Sequence, residues 1–271
     1  MGIRKKLKKK ISEYLFKNGV FTSKKTDINK ITSFLNMVHP KYLDIENIRI
    51  GGENDGGYII PNDLKDVKYC FSPGVGSISK FEKELIQKKI KCFLADYSVE
   101  PKFENDLIEF DKKFIGPSTF ENFLSLKDWI EKKLVNENNV DLILQMDIEG
   151  AEYDVINALD DEILKKFRII LIEFHQLHYL FDDFTFEKIN HAFKKVLKFF
   201  NCTHIHPNNS VDFVLKDKEI IIPPVLEFSF LRKDRGKILN KKLSFPAKID
   251  QPNVLNKRDI ELPACWYKSI N

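Results

Sequence analysis

Asp147, Glu149 and Glu152 stand close together behind an apolar run at residues 142–144, and two later apolar runs end in His175 and His206. Carboxylate and imidazole are the side chains that move protons at neutral pH, since histidine has an unperturbed pKa near ~6.5. Such a set suits deprotonation of a poor nucleophile such as a hydroxyl. The same oxygens and nitrogens are ligands for Mg²⁺ or Mn²⁺, although no tight ligand spacing favours a metal. His175 shares a strand face with Glu173, two residues before it. We assign His175 as general base and Asp147 as the group that orients the hydroxyl, with Glu149 near enough to touch it. Glu152 is expected to do no more than sit in the first turn of a helix, where the helix dipole stabilises carboxylates, or to face solvent.

A second set of residues reads as a ligand cradle. Four of the 11 glycines fall between Gly51 and Gly57. Asp55-Gly56 there reads as a hairpin turn, and the same loop can hug a ligand because glycine admits close backbone approach. A further turn, Pro73-Gly74-Val75-Gly76, separates an apolar run from a helical pattern. Asp96 ends the next apolar run, 20 residues past Gly76, a spacing that suits a carboxylate on ribose hydroxyls. Turn and carboxylate together fit NAD, FAD or S-adenosylmethionine. The turn lacks the third glycine of a pyrophosphate cradle, which favours an adenosine ligand without phosphates.

Alternating elements must position these residues. Strand-like runs at 67–72, 91–95, 113–115, 141–148 and 168–175 alternate with helical patterns, including 152–159 and 186–200. Ser79-x-x-Glu82 and Ser118-x-x-Glu121 are capping signals. The second predicts a helix carrying Phe120, Phe123, Leu124, Ile130 and Leu134 on one face. The alternation predicts an α/β fold, a parallel sheet with helices on both faces, with ligands at the carboxyl ends of the strands. Runs at 203–206, 213–215, 219–222 and 226–232 read as closing strands, some antiparallel.

Asp147-Ile-Glu-Gly-Ala-Glu152, between its apolar run and Tyr153-Asp-Val-Ile156, resembles the signature of FkbM-type S-adenosylmethionine-dependent O-methyltransferases. Supporting matches run from Arg49 to Pro252 and include Asp55-Gly-Gly-Tyr58, the 73–76 turn, Asp96, Ile172-Glu-Phe-His175 and His204-Ile-His-Pro-Asn-Asn209. Ser72-Pro73 departs from the glycine or acidic start usual in that turn. The resemblance implies a Rossmann-like seven-strand methyltransferase sheet with an antiparallel closing hairpin. It also implies S-adenosylmethionine as donor and a hydroxyl, commonly on a sugar, as acceptor; the sugar is read as nucleotide-activated or part of a surface glycan precursor. For the donor, the expected contacts are Asp55 and Tyr58 at its amino-acid end, the backbone of Gly74 and Gly76, Asp96 on the ribose with Tyr97 and Ser98 beyond, Ser118 and Thr119 beside the adenine, and Asp147. His206, Asn208 and Asn209 are expected to hydrogen-bond the acceptor.

Composition bounds the rest. Among 271 residues, 43% are hydrophobic and 23 are Phe, which excludes global disorder. The net charge of +4 is uneven: residues 1–17 hold seven basic side chains against Glu13, a net +6, leaving −2 on the other 254 residues. Nucleic acid, which needs a basic folded face, is therefore not an expected partner. Residues 3–16 read as a helix with Ile3, Leu7, Ile11 and Leu15 on one side. It lies on an anionic membrane surface or packs on the body as a cap. Ser12, Glu13 and Lys17 interrupt any secretory signal core. Four cysteines without CxxC spacing read as buried thiols of a reducing compartment. These readings place a helical arm at 1–40 and a methyltransferase domain at 41–271, cytoplasmic and membrane-peripheral through the arm. The rival readings are a nicotinamide-dependent dehydrogenase using the same turn, and a non-catalytic membrane-associated module.

Overall fold

A computed structural model of the chain describes residues 3–53, 55–76, 80–100, 105–135, 137, 140–211 and 213–270. In chain order its elements are α1 (Ile3–Lys17), α2 (Ile28–Val38), β1 (Asn47–Ile50), β2 (Tyr58–Pro61), β3 (Tyr69–Pro73), α3 (Lys80–Gln87), β4 (Lys91–Ala95), β5 (Ile108–Asp111), β6 (Phe114–Gly116), β7 (Phe123–Ser125), α4 (Leu126–Lys133), β8 (Leu142–Met146), α5 (Glu152–Ala158), α6 (Asp161–Leu164), β9 (Phe167–Phe174), α7 (Asp183–Phe199), β10 (Phe200–Pro207), β11 (Leu215–Asp217), β12 (Ile220–Ile222) and β13 (Leu226–Arg232). A 3₁₀ turn, Leu177–Phe181, links β9 to α7.

Seven strands form the central sheet in the order β10-β13-β9-β8-β3-β4-β5. All its pairs from β9 to β5 are parallel, and β13 runs antiparallel to both β9 and β10. This is the expected mostly parallel sheet with one reversed strand near its end. Strand residues alternate between two cores, as a pleat demands. Leu142, Leu144, Ile170, Ile172 and Phe174 face α2, α4, α5 and α7, where Phe34, Trp129, Ile156 and Phe193 are buried. Ile143, Ile169 and Leu171 face α3 and the β1–β2 hairpin, against Phe81, Leu85, Ile50 and Ile60. Both faces of the central strands are apolar, so no polar alternation marks them in the sequence.

Two expectations fail around residue 118. The third strand of the sheet is β5, not the run at 113–115, whose residues Phe114–Gly116 instead pair with β7 in a separate two-stranded sheet. The Ser118-x-x-Glu121 signal opens no helix. Thr119 Oγ1 accepts from Ser125 N–H at 2.9 Å and bonds Asp128, folding 118–125 into a turn. Helix α4 starts later, where Ser125 Oγ accepts from Asp128 N–H at 3.0 Å. In the closing region, the run at 213–215 is a strand only from Leu215 onward. Ser79, proposed as a cap of α3, lies outside the described residues.

Candidate active site

Asp147, Glu149 and His175 come together at the carboxyl ends of β8 and β9, with one ligand atom of each within 4.8 Å of the others. The backbone makes this possible. Glu149 (φ +56°) and Gly150 (φ +106°) are both left-handed. The turn they form bends Glu152, the first residue of α5, back toward the strand end. Three donors converge on Glu152 Oε1: the Ile148 and Gly150 N–H groups at 3.1 and 3.0 Å, and His175 Nδ1 at 3.0 Å. A carboxylate that only accepts puts the imidazole proton on Nδ1 and leaves Nε2 free to take another. Glu152 is fully buried, so the expectation that it merely caps a helix or faces solvent is corrected: it orients His175. Tyr153 Oη donates to the His175 carbonyl at 2.6 Å, fixing the same segment.

Around His175 Nε2 lie Glu149 Oε2 and Glu173 Oε1 at 3.5 Å and Asp147 Oδ1 at 3.8 Å. Burial, reinforced by Glu149, Glu152 and Asp55 and opposed by His175, pushes the Asp147 carboxyl up to about 7. Burial also drives Glu173 up, with help from Asp147 and Glu227. Burial alone would lower His175, but its hydrogen bond to Glu152 and the surrounding carboxylates raise it. Buried groups whose pKa values are moved this way by burial and charged neighbours are found where protons are moved. The Glu149 side chain is 87% exposed, although its left-handed backbone costs a non-glycine residue on the order of 1 kcal/mol or more.

Beside this centre a cleft of about 500 Å³ is lined by Gly74, Gly76, Asp96, Ser98, Phe114, Ile115, Phe123, Asp147, Ile148 and Glu149, with Asp55 at its border. Gly74 (φ +83°) is required by packing as well, because a Cβ there would lie 1.5 Å from the Asp147 carbonyl. A smaller cavity of about 290 Å³ shares Asp55, Gly74, Gly76 and Asp147 and adds Tyr58, Glu82 and Gln145. At its floor Ser72 Oγ lies between Glu82 and Gln145, and Gln145 Nε2 donates to Tyr58 Oη at 3.4 Å. Burial pushes the Glu82 carboxyl up in pKa.

Several expected contacts are corrected. Ser118 and Thr119 do not line the cleft, and Thr119 instead braces the 118–125 turn. The apolar walls come from Phe114 and Phe123, which read in the sequence as strand and helix core. Tyr97 stands outside the lining, its ring 5.3 Å from that of Phe114. Ser98 N–H donates to Asp96 Oδ1 at 2.7 Å, so it shapes the carboxylate as well as lining the cleft. His206, Asn208 and Asn209 are buried rather than open to an acceptor. Asn208 Nδ2 donates to Glu173 at 3.0 Å, and Asn209 holds the 254–258 segment through Val254 and Arg258. His206 joins a second cluster with His204 and Asp250. The 250–258 segment covers the strand end that the sequence leaves open.

Residues 112–205 match the Methyltransferase FkbM domain. The match contains Phe114, Phe123, Asp147, Glu149, Glu152 and His175, and leaves out Asp55, Gly74, Gly76 and Asp96. Among solved structures, a chain of a fibrillarin/Nop5p complex aligns at a TM-score of 0.37 and 12% identity, covering 62% of this chain and 74% of that one. No curated protein matches the chain.

Proposed function

We propose that this chain, which belongs to the FkbM methyltransferase family through residues 112–205, is an O-methyltransferase that uses S-adenosylmethionine and a sugar hydroxyl, free or on a nucleotide-activated or glycan precursor. The observation that carries the reading is the Glu152–His175 pair: Nδ1 is held by a buried carboxylate, while Nε2 lies 3.5 to 3.8 Å from Glu149, Glu173 and Asp147, of which Asp147 and Glu149 line the cleft. The cleft fits the donor in its chemistry. Asp96 offers a carboxylate for ribose hydroxyls, Phe114, Ile115, Phe123 and Ile148 offer apolar walls for a purine, and Asp55 offers charge to an ammonium group. When bound, S-adenosylmethionine supplies a sulfonium methyl group open to in-line displacement.

The chain's own part is alignment and proton removal. Asp147 orients the acceptor O–H, and His175 Nε2 takes its proton as the oxygen attacks. Holding the two reactants in line supplies several kcal/mol, and base assistance about 10²–10⁴-fold. Because His175 is raised and Asp147 stands at about 7, the proton-accepting form of the pair accumulates on the alkaline side of neutrality.

Calorimetry tests the donor assignment. S-adenosylhomocysteine should bind and NAD should not. Asp96→Asn should weaken that binding about tenfold or more, the loss of a charge-assisted hydrogen bond. Binding of NAD in place of S-adenosylhomocysteine would overturn the reading. Transfer of labelled methyl from the donor to a panel of nucleotide sugars then tests the acceptor class.

A further inference from the structure

Exposed apolar side chains collect at one place on the carboxyl edge. Strands β9 and β10 run in the same direction, since each is antiparallel to β13. Both therefore deliver their following loops to the edge that holds His175. On those loops Tyr179, Phe213 and Val214 are exposed, and Phe184, at the start of α7, is 89% exposed. The His178 ring joins them, 4.4 Å from Tyr179 and 5.4 Å edge-on to Phe213.

The N-terminal segment is anchored to this same place. Thr26 N–H donates to the Phe181 carbonyl at 2.8 Å, and Lys25 forms a β-bridge with Asp182. Lys24 pairs with Asp183 at 2.8 Å and Lys25 with Asp217 at 2.7 Å. Just before this anchor comes Phe21, 83% exposed. Before that stands α1, with Leu7, Ile11, Tyr14 and Phe16 exposed beside the exposed Lys6, Lys8, Lys9, Lys10 and Lys17. Large apolar side chains exposed in such number mark interaction sites when they gather on one surface. A lysine-rich amphipathic helix with aromatic residues is the pattern of a chain that lies in a bilayer interface. Among the described residues, no helix is long and apolar enough to cross a membrane.

We propose that this edge docks on an anionic lipid bilayer. Helix α1 lies in the interface with its lysines on the headgroup phosphates. Phe21, Phe184 and Tyr179 enter the headgroup layer beside it, so that the mouth next to His175 faces the membrane. The charge is complementary, a net +6 over residues 1–17 on a body of −2. The apolar groups stand on two helices, a 3₁₀ turn and two loops rather than on one element. That arrangement suits a fluid surface better than a rigid acidic protein.

Flotation of the full chain with vesicles tests the docking. Binding to phosphatidylcholine vesicles containing phosphatidylglycerol should exceed binding to pure phosphatidylcholine at least tenfold and fall as salt rises. Replacing Lys6, Lys8, Lys9 and Lys10 together by Glu should remove that preference. Equal binding to both vesicles, or an unaffected charge-reversed variant, would overturn the proposal. Orientation is read by quenching with brominated lipid in two further variants, against the background of the buried Trp129 and Trp266. Phe184→Trp should be quenched. Val135→Trp, on the loop leading into the opposite end of β8, should not. Equal quenching of both would overturn the orientation. S-adenosylhomocysteine binding in solution is a separate readout: a chain that docks as described and binds no donor overturns the methyl-transfer reading and leaves the docking standing.

Discussion

His175 and His204 each contact a carboxylate at about the same distance, 3.0 Å to Glu152 and 2.8 Å to Asp250, yet the two clusters are built for opposite ends. In the second, Asp250 engages both histidines, and His206 Nε2 alone of the cluster is buried without a hydrogen-bond partner among the described residues. Asp250 Oδ1 meets His204 and, at 3.5 Å, His206, while Oδ2 accepts from the Ala247 N–H. Burial would raise Asp250, but the two histidines outweigh it and hold the carboxyl well below the usual carboxylate range. These contacts pin the C-terminal segment to the sheet. In the first cluster the carboxylates are in excess. Asp147 Oδ1, Glu152 Oε2 and Glu173 Oε2 are buried without a hydrogen-bond partner among the described residues, and Asp147 is driven up rather than down. A carboxylate held by two histidines and a backbone N–H contributes stability, and carboxylates left unpartnered beside a cleft are available to a reactant. The two clusters therefore differ in how their polar atoms are partnered, although both combine histidine with carboxylate.

That contrast is broken most severely at the histidines. His175→Ala should lower turnover about 10²–10⁴-fold, with donor affinity by calorimetry unchanged and the unfolding midpoint nearly so. Asp250→Ala should do the reverse. Removing one partner of a buried pair costs about 3 kcal/mol, read as a loss of stability in denaturant titration, while turnover per folded molecule stays near that of the parent. If the two substitutions produced the same phenotype, the division into a catalytic and a structural cluster would fail.

The strand ends were legible because apolar runs stop at Gly, Asp or His, and those stops are where β3, β4, β8 and β9 end. Strand β5 was not, since Ile108-Glu-Phe-Asp111 puts charges into an edge strand of only four residues. His175 and Asp147, read from the sequence as strand-end residues, do come together at the ends of β8 and β9. Glu152 was missed because its role depends on two consecutive left-handed residues that turn its side chain back, and helix position alone points the other way. His206, Asn208 and Asn209 misled for the converse reason. Polar residues after a strand read as open, and the segment that covers them arrives from 40 or more residues later in the sequence.

Glu152→Gln sharpens the comparison at smaller cost. The hydrogen bond and the charge of Glu152 both raise His175, so the neutral amide should lower its pKa. Imidazole resonances followed by NMR should titrate at lower pH in the variant, and the alkaline rise of turnover should move to lower pH with them. Turnover at its plateau should fall about tenfold, within the range that a base supplies. A pH profile that stays put would leave Glu152 as a structural ion pair, like Asp250.

The smallest effect is expected from chelation. Both clusters have the composition of a cation site, and in each the ligand atoms of three residues lie within 4.8 Å of one another. In the second cluster Asp250 is already engaged with both histidines, so EDTA should leave the unfolding midpoint unchanged. In the first, a metal on His175 Nε2 would occupy the lone pair that has to accept the acceptor's proton. The base reading therefore requires turnover within about twofold of the untreated enzyme after chelation, far inside the range a base supplies. Loss of turnover restored by Mg²⁺ would recast Asp147 and Glu149 as ligands and move proton removal away from His175. The comparison would then be between an occupied metal site and a carboxylate held by two histidines.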